Sequence, residues 1–149
     1  MSDCFHLQRF IEAQDDGGTY EHALAELRAG RKRTHWMWFI FPQLAGLGRS
    51  ATAQRYAIGS LDEARAYLAH PLLGPRLREC AQALLAAPAD LTTHDILGAT
   101  DALKLRSSMT LFARAAPDEP LFRDVLDRYY GGVADEATDR LLSSSSETR

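Results

Sequence analysis

Cysteine is almost absent from this 149-residue chain. Its two cysteines, Cys4 and Cys80, are too few for a disulfide framework, and neither belongs to a C-x-x-C pair or to a metal-ligand spacing. The five histidines do not cluster along the sequence. The sequence therefore predicts two free thiols, no metal site and no cofactor.

Long apolar runs and familiar catalytic motifs are also missing. No run approaches the roughly 20 apolar residues of a membrane helix, and the N-terminus lacks the pattern of a signal peptide. Neither G-x-x-x-x-G-K-[ST] nor G-x-G-x-x-G is present, and H-E-x-x-H and G-x-S-x-G are absent too. We expect a cytoplasmic protein without a membrane partner, and no known reaction is indicated.

Positive charge is in slight deficit, and lysine is scarce. The formal net charge is −3, so no general attraction to nucleic acid is expected, and the basic run Arg31–Arg33 is local. Of the 17 basic residues only Lys32 and Lys104 are lysines. A lysine has a compact head and an adjustable pKa that arginine lacks, so the two positions either need these properties or kept lysine by chance.

What the chain does contain is helical periodicity. Tyr20, Ala23, Leu24 and Leu27 fall at i, i+3, i+4 and i+7, and similar stripes recur along the chain without an alternating strand pattern. The length is that of one domain. We predict an all-α fold, a single compact domain of about seven or eight helices with short connections and no sheet over residues 1–142. A disordered, serine-rich tail is expected over residues 143–149.

Several helix ends are marked by capping residues. Ser60 with Glu63 three residues later predicts a capping box. Ser50, Thr100 and Asp135 are expected N-caps of three further helices.

The run Trp36–Phe41 is apolar at every position, so periodicity does not distinguish a strand from a helix. Its aromatic content favours a strand, while the helical patterns on both sides favour a helix. Thr34 is a plausible N-cap, and Pro42 would end the element. We predict a short, fully buried helix with a strand as the alternative.

Three stretches of the chain resemble a known family. They are HWMWFIFPQL at 35–44 followed by GLG at 46–48, YLAHP with LGPRL over 67–77, and KLRSSMTLF at 104–112. Together they resemble the family called domain of unknown function 1810, and the likeness runs from about residue 7 to residue 142. The resemblance implies a small all-α fold and carries no established reaction.

A charged row borders one apolar helix stripe. Asp101, Lys104 and Ser108 lie at i, i+3 and i+7, so they share one flank of a helix. An Asp–Lys pair at this spacing is commonly a solvated pair that contributes about 0.2–0.5 kcal/mol. If the row instead faces the aromatic run, its side chains would meet those at the ends of that run.

Lys32, His35 and Gln43 are the polar residues at those ends. In the resulting hypothesis, His35 is a general base, Asp101 orients it or binds a diol, and Lys104 and Lys32 hold an anionic group. The remaining ligand-binding residues are Trp36, which would stack on a ring, together with Gln43 and Ser108.

Two functions of different classes follow from the sequence. The first is binding, with or without hydrolysis, of a small anionic, nucleotide-like ligand between the 32–43 stretch and the 101–108 helix. The second is a helical protein-interaction module that presents Arg31–Arg33 and exposed helix faces. A lined pocket favours the first function, and an exposed apolar patch of several hundred Å² favours the second.

Overall fold

The structure is a computed structural model that describes residues 5–147, with side chains through residue 144. Within this range the chain is all-α, as predicted, and its extended backbone pairs only at one isolated bridge between Leu44 and Ile58. Cys4, one of the two expected free thiols, lies outside the described residues. Cys80 is a buried free thiol.

Seven of the helices in the described range have eight residues or more, and three are single turns of four or five. None of them combines the length and apolar surface that crossing a bilayer requires. The helices are α1 (Gln8–Asp15), α2 (Thr19–Ala29), α3 (Met37–Ile40), α4 (Ala51–Arg55), α5 (Leu61–Ala69), α6 (Leu73–Ala86), α7 (Thr93–Leu97), α8 (Ala99–Ala115), α9 (Leu121–Tyr130) and α10 (Glu136–Glu147), with a short 3₁₀ turn between α1 and α2.

The 17-residue helix α8 is the axis of the core. It packs against α5, α7, α9 and α10, and a line of touching aromatic rings crosses it. Phe10 of α1 meets Tyr67 of α5 edge-on, Tyr67 meets Phe112 of α8, and Phe112 meets Phe122 of α9, with ring centroids 5.2–5.7 Å apart. Large buried rings such as these contribute much of the apolar area that a domain of this size removes from water.

The helix ends largely follow the predicted caps. The hydroxyl of Ser60 accepts the N–H of Glu63, and Ser50 and Asp135 accept corresponding N–H groups in the first turns of α4 and α10. The expected capping box is only half formed, because the Glu63 carboxylate accepts the N–H of Gly59 rather than that of Ser60.

Two expected boundaries differ from the structure. Helix α8 begins at Ala99 with Gly98 at its N-cap, so Thr100 lies in the first turn and does not cap it. Helix α10 continues to Glu147, so the chain over residues 143–147 has helical backbone where a disordered tail was expected. Residues 148 and 149 are outside the described part.

The aromatic run forms the predicted helix rather than a strand. Its single turn, α3, ends just before Phe41 and Pro42. Two parts of the prediction were wrong: Trp36 occupies the N-cap position instead of Thr34, and Trp38 and Phe39 are only half-buried.

A buried amide fixes the position of α3. Gln14 of α1 is 1% exposed, and its Nε2 donates to the carbonyl of Phe39 at 2.7 Å and to the hydroxyl of Tyr67 at 3.2 Å. Its Oε1 accepts from Nη1 of Arg76 at 3.1 Å. Because a buried amide without partners is costly, this network holds α3 in one place against α1, α5 and α6.

The close approach of α5 and α6 gives a stability prediction. A methyl group added at Gly74 would lie 2.1 Å from the backbone carbonyl oxygen of Leu68, which a rotamer change cannot relieve. We expect Gly74→Ala to lower the free energy of unfolding by about 1–3 kcal/mol in urea denaturation. Gly59→Ala is the control, since its methyl meets only the side chain of Glu63 at 3.3 Å. Equal losses in both variants would contradict the tight-packing argument.

Candidate functional site

The carboxylate of Glu26, near the C-terminal end of α2, fixes the segment that follows this helix. Its Oε1 accepts the backbone N–H groups of Arg33 at 2.7 Å and Thr34 at 3.0 Å, and the indole N–H of Trp36 at 2.9 Å. Its Oε2 accepts the hydroxyl of Thr34 at 2.7 Å. Four hydrogen bonds to one carboxylate hold the backbone of this segment and the Trp36 ring in place.

These hydrogen bonds also determine the charge state of Glu26. Burial raises the pKa of its carboxyl group, but the N–H groups of Arg33, Trp36 and Thr34 favour the ionised form more strongly. The net result is that the pKa of Glu26 falls to about 2. The carboxylate is therefore ionised at neutral pH and accepts all four hydrogen bonds.

Lys32 is held at both its backbone and its side chain. Its N–H donates to the carbonyl of Ile96 in α7 at 2.7 Å. Its Nζ lies 3.1 Å from Oδ2 of Asp101 and 5.2 Å from the centre of the Trp36 ring, and the side chain is 10% exposed. The ammonium group thus meets both a carboxylate and an aromatic face.

Lys104 approaches the same carboxylate from the other side. Its Nζ lies 3.5 Å from Oδ1 of Asp101 and 4.7 Å from the centre of the Trp38 ring. The chain's two lysines therefore share Asp101, and each lies over one of its two tryptophans. We call Lys32, Asp101 and Lys104 the lysine bridge; it carries one more positive than negative charge.

A narrow cleft of about 280 Å³, partly open to solvent, lies beside Lys104. Most of this volume is open solvent or too narrow to enter, and only about one water molecule fits inside the cleft. Lys104 is the lining residue that carries a charge at neutral pH, and most of the others are apolar. We call it the Trp38 cleft; its lining residues are Met37, Trp38, Phe41, Pro42, Gln43, Leu44, Gly48, Ala53, Tyr56, Ala57 and Lys104.

Two polar groups of the cleft-lining side chains have no partner among the described residues. The indole Nε1 of Trp38 is buried and lacks a hydrogen-bond acceptor. The side-chain amide of half-buried Gln43 makes no hydrogen bond either, whereas its backbone carbonyl accepts from Ile58 at 2.8 Å. A buried donor without an acceptor costs about 1–3 kcal/mol, so the Trp38 N–H is a functional candidate.

Three residues of the predicted site belong neither to the cleft lining nor to the lysine bridge. His35 is exposed, makes no hydrogen bond or ion pair within residues 5–147, and does not line the cleft. The ring of Trp36 is 1% exposed, which leaves no face for a ligand to stack on. Ser108 is fully buried within the core side of α8. Its Oγ has no hydrogen-bond partner in the described part of the chain, but Ser108 does not line the cleft.

The residues that the structure does bring together are Lys32, Asp101 and Lys104, with Gln43 near Lys104 in the cleft. From the sequence, Asp101 was expected to orient His35 or to bind a diol, whereas in the structure its carboxylate lies between the two lysines. Sequence reasoning also missed Glu26 and Trp38. The sequence did contain a signal that sets Trp38 apart from Trp36. Residues two positions apart on a helix point to nearly opposite sides, so the two tryptophans are expected in different environments.

Comparison with known proteins fits this architecture. A family model described as "Protein of unknown function (DUF1810)" matches residues 4–142. The chain belongs to this family. Among solved structures, the crystal structure of the conserved hypothetical protein Rv1873 from Mycobacterium tuberculosis is 52% identical. It superposes with a TM-score of 0.91 over 95% of this chain and 99% of that one. No curated protein matches the chain.

The DUF1810 assignment thus confirms the resemblance seen in the sequence and agrees with the all-α fold. The family is described as one of unknown function, and the solved relative is a conserved hypothetical protein. The functional argument for this DUF1810 protein therefore depends on the geometry of its own side chains.

Glu26 yields a pH-dependent prediction. Its folded pKa of about 2 lies below the ordinary value of 4.5, so its ionised form stabilises the fold above pH 4.5, and this stabilisation is lost as pH falls to about 2. We expect Glu26→Gln to lower the unfolding free energy at pH 7 by about 2 kcal/mol, a figure reduced for solvent screening. Urea denaturation from pH 7 to pH 2 should show the two proteins converging at the acid end. A constant difference over that range would contradict this role for the Glu26 charge.

Proposed function

We propose that this DUF1810 protein binds a small anionic, nucleotide-like ligand at the Trp38 cleft and the lysine bridge. The planar part of the ligand lies at the mouth of the cleft, with only its edge between the 32–43 stretch and α8. Its negative group pairs with Lys104. Asp101 links Lys104 to Lys32, the second cation of the lysine bridge. The contacts that support this arrangement come from side chains on α3, α8 and the segment after α2.

The observation that carries the proposal is the unpartnered indole N–H of Trp38. Nearly all buried polar groups in proteins have a hydrogen-bond partner, so an unpartnered one beside a cleft calls for an acceptor. A ligand with a ring nitrogen or carbonyl oxygen would supply it. The free amide of Gln43 offers both a donor and an acceptor to the same planar group.

The charges favour an anion. Asp101 is one carboxylate facing two ammonium groups, so the lysine bridge retains one positive charge. Lys104 is 25% exposed, which leaves its ammonium accessible from solvent while its ring contact with Trp38 keeps it in place. A cation held over an aromatic face and beside an apolar cleft interacts with an anion more strongly than a fully hydrated one does.

The size of the cleft limits the ligand. The free space inside the cleft is about that of one water molecule, far below the usual range of small-molecule pockets. In this conformation the cleft therefore admits only one or two atoms at the edge of a planar group, with the rest of the ligand lying outside on the lysine bridge. A large, wholly enclosed ligand does not suit this geometry.

Binding is better supported than hydrolysis. The cleft-lining residues include neither a carboxylate nor an imidazole that would act as a general base beside Lys104. Asp101 is occupied by both lysines, and His35 lies away from the lining. The roles first assigned to His35, Trp36 and Ser108 are accordingly not part of this proposal.

The alternative function, a protein-interaction module, receives less support. It would need an exposed apolar patch of several hundred Å². In the described part of the chain, the large hydrophobic residues that are well exposed are Leu103 at 63% and Val133 at 56%. Two such residues do not amount to a patch of that size.

A thermal-shift screen of nucleotides and sugar phosphates tests the proposal. A ligand at one hundred times its Kd adds about 2.7 kcal/mol, which is a readable rise in Tm. We expect Lys104→Ala to weaken any hit by about tenfold, since it removes the charged partner of the anion. Trp38→Phe should also weaken it, because this variant keeps a ring but removes the N–H.

Leu103→Ala is the control for this screen, since Leu103 precedes Lys104 on α8 but is exposed and makes none of the contacts of the site. The control should retain the full shift. A panel without hits, or a hit that is insensitive to both Lys104→Ala and Trp38→Phe, would exclude the proposed site.

Asp101 gives a prediction with opposite effects on stability and binding. Asp101→Asn leaves the two lysines unneutralised, so we expect the unfolding free energy to fall by about 1–2 kcal/mol. Because the same change frees both ammonium groups, pyrophosphate should bind about threefold more tightly or better. Urea denaturation and calorimetric titration measure the two effects. A loss of both stability and affinity would show that Asp101 acts by ordering the lysines. It would contradict the argument that its charge weakens anion binding.

A further inference from the structure

The basic segment Arg31–Arg33 has an unusually well-fixed backbone for a loop. The N–H of Arg31 donates to the carbonyl of Glu26 at 3.0 Å, and that of Lys32 donates to the carbonyl of Ile96 at 2.7 Å. The N–H of Arg33 donates to Oε1 of Glu26 at 2.7 Å. Three successive amides thus have fixed acceptors, although this segment is neither helix nor strand. The directions in which its three cationic side chains leave the backbone are therefore set before any ligand binds.

The side chains of Arg31 and Arg33 are available to bind an external group. Arg31 and Arg33 are exposed, and neither makes a side-chain hydrogen bond or ion pair with any described residue. By contrast, Arg78 pairs with Glu119 at 2.7 Å, and Arg114 pairs with Asp139 at 2.9 Å. Most arginines of the described chain have such carboxylate, carbonyl or aromatic-ring partners, so two unpartnered ones within a single fixed segment form a distinct feature.

The carboxylate of Glu26 offsets part of the positive charge of this segment but pairs with neither arginine side chain. Glu26 accepts four hydrogen bonds from the backbone N–H groups of Arg33 and Thr34, the Thr34 hydroxyl and the Trp36 indole. It makes no contact with either guanidinium group. Glu26 keeps its negative charge, so Arg31, Lys32, Arg33 and Glu26 together carry a net charge of +2, and the two guanidinium groups stay available to an external anion.

The two arginines adjoin the lysine bridge through Lys32, which lies between them in the sequence. Arg31, Lys32 and Arg33 together line a shallow, open hollow. Lys32 belongs both to this hollow and to the lysine bridge, where it shares Asp101 with Lys104 of the Trp38 cleft. Lys32 therefore links the hollow to the lysine bridge, and this region holds four cationic side chains and two carboxylates, Asp101 and Glu26.

We propose that the hollow formed by Arg31, Lys32 and Arg33 binds a second anionic group of the same ligand, which makes that ligand a compound with a chain of two or more phosphates. This inference rests on the proposed function at the Trp38 cleft and names the ligand class more narrowly. Phosphate chains suit the site because each guanidinium donates two parallel hydrogen bonds to phosphate oxygens. A monoanion would reach Lys104 or the hollow, but it would not engage both.

The test is a series of inorganic phosphate, pyrophosphate and tripolyphosphate, titrated calorimetrically into the full chain at about 150 mM salt, where weak surface attractions are screened. We expect affinity to rise along the series in the unmodified protein. The double variant Arg31→Gln with Arg33→Gln should lose about tenfold in tripolyphosphate affinity and change phosphate binding little. Its thermal unfolding is recorded in parallel, since both side chains are exposed and the fold should be unaffected.

Arg123→Gln is the matched control, because Arg123 is another exposed arginine without a partner in the described chain, but it lies on α9. It should leave the whole series unchanged. The inference is overturned if affinity does not rise with phosphate number, or if Arg123→Gln reduces tripolyphosphate binding as much as the double variant does. Absence of tripolyphosphate binding overturns it as well.

Lys104→Ala separates this inference from the proposed function. If it weakens all three anions while the double variant weakens mainly the longer ones, both stand. If tripolyphosphate binding depends on Arg31 and Arg33 but not on Lys104, the cleft function fails, and the hollow is then an independent anion site. A single-stranded oligonucleotide that binds more tightly than tripolyphosphate, with the same loss in the double variant, would assign the hollow to nucleic acid and overturn the small-ligand inference.

Discussion

The carboxylate of Glu26 accepts four hydrogen bonds from the segment that leaves α2, and the candidate site depends on this interaction. The segment is irregular, so it has no regular backbone hydrogen bonds to satisfy its N–H groups. One ionised side chain accepts two of these N–H groups and also the indole N–H of Trp36, which fixes the start of α3. Because hydrogen bonds to a charged acceptor are stronger than neutral ones, a single residue is enough to fix the backbone that follows Lys32. Lys32 itself is held by the carbonyl of Ile96 in α7 and by Asp101 of α8.

The shared carboxylate of Asp101 is the second constraint. Two lysines meet on it from separate parts of the chain, each with its ammonium over a tryptophan ring. In a chain that otherwise uses arginine, the compact ammonium head suits this geometry, since two guanidinium forks would compete for the same two oxygens. The chance explanation for the two lysines is less attractive once both lie in one cluster.

The fold and the proposed function meet at helix α8. Its buried face belongs to the aromatic core of the DUF1810 fold, while its flank presents Asp101 and Lys104 to α3 and to the segment before it. The cleft is narrow, and one of its lining residues, Trp38, has a buried N–H without an acceptor among the described residues. The proposed binding of an anion depends on this donor and on the net positive charge of the lysine bridge.

The sequence by itself determined the helical class and most helix boundaries, because capping residues and the i, i+3, i+4 stripe act within one or two turns. It also placed Asp101 and Lys104 on one side of a helix, for the same local reason. Only the tertiary structure decided that Lys32 reaches Asp101, that Trp36 is buried while Trp38 borders the cleft, and that His35 faces solvent. These outcomes depend on how α2, α3, α7 and α8 pack together. Contacts between residues distant in sequence do not produce a periodic pattern in the sequence.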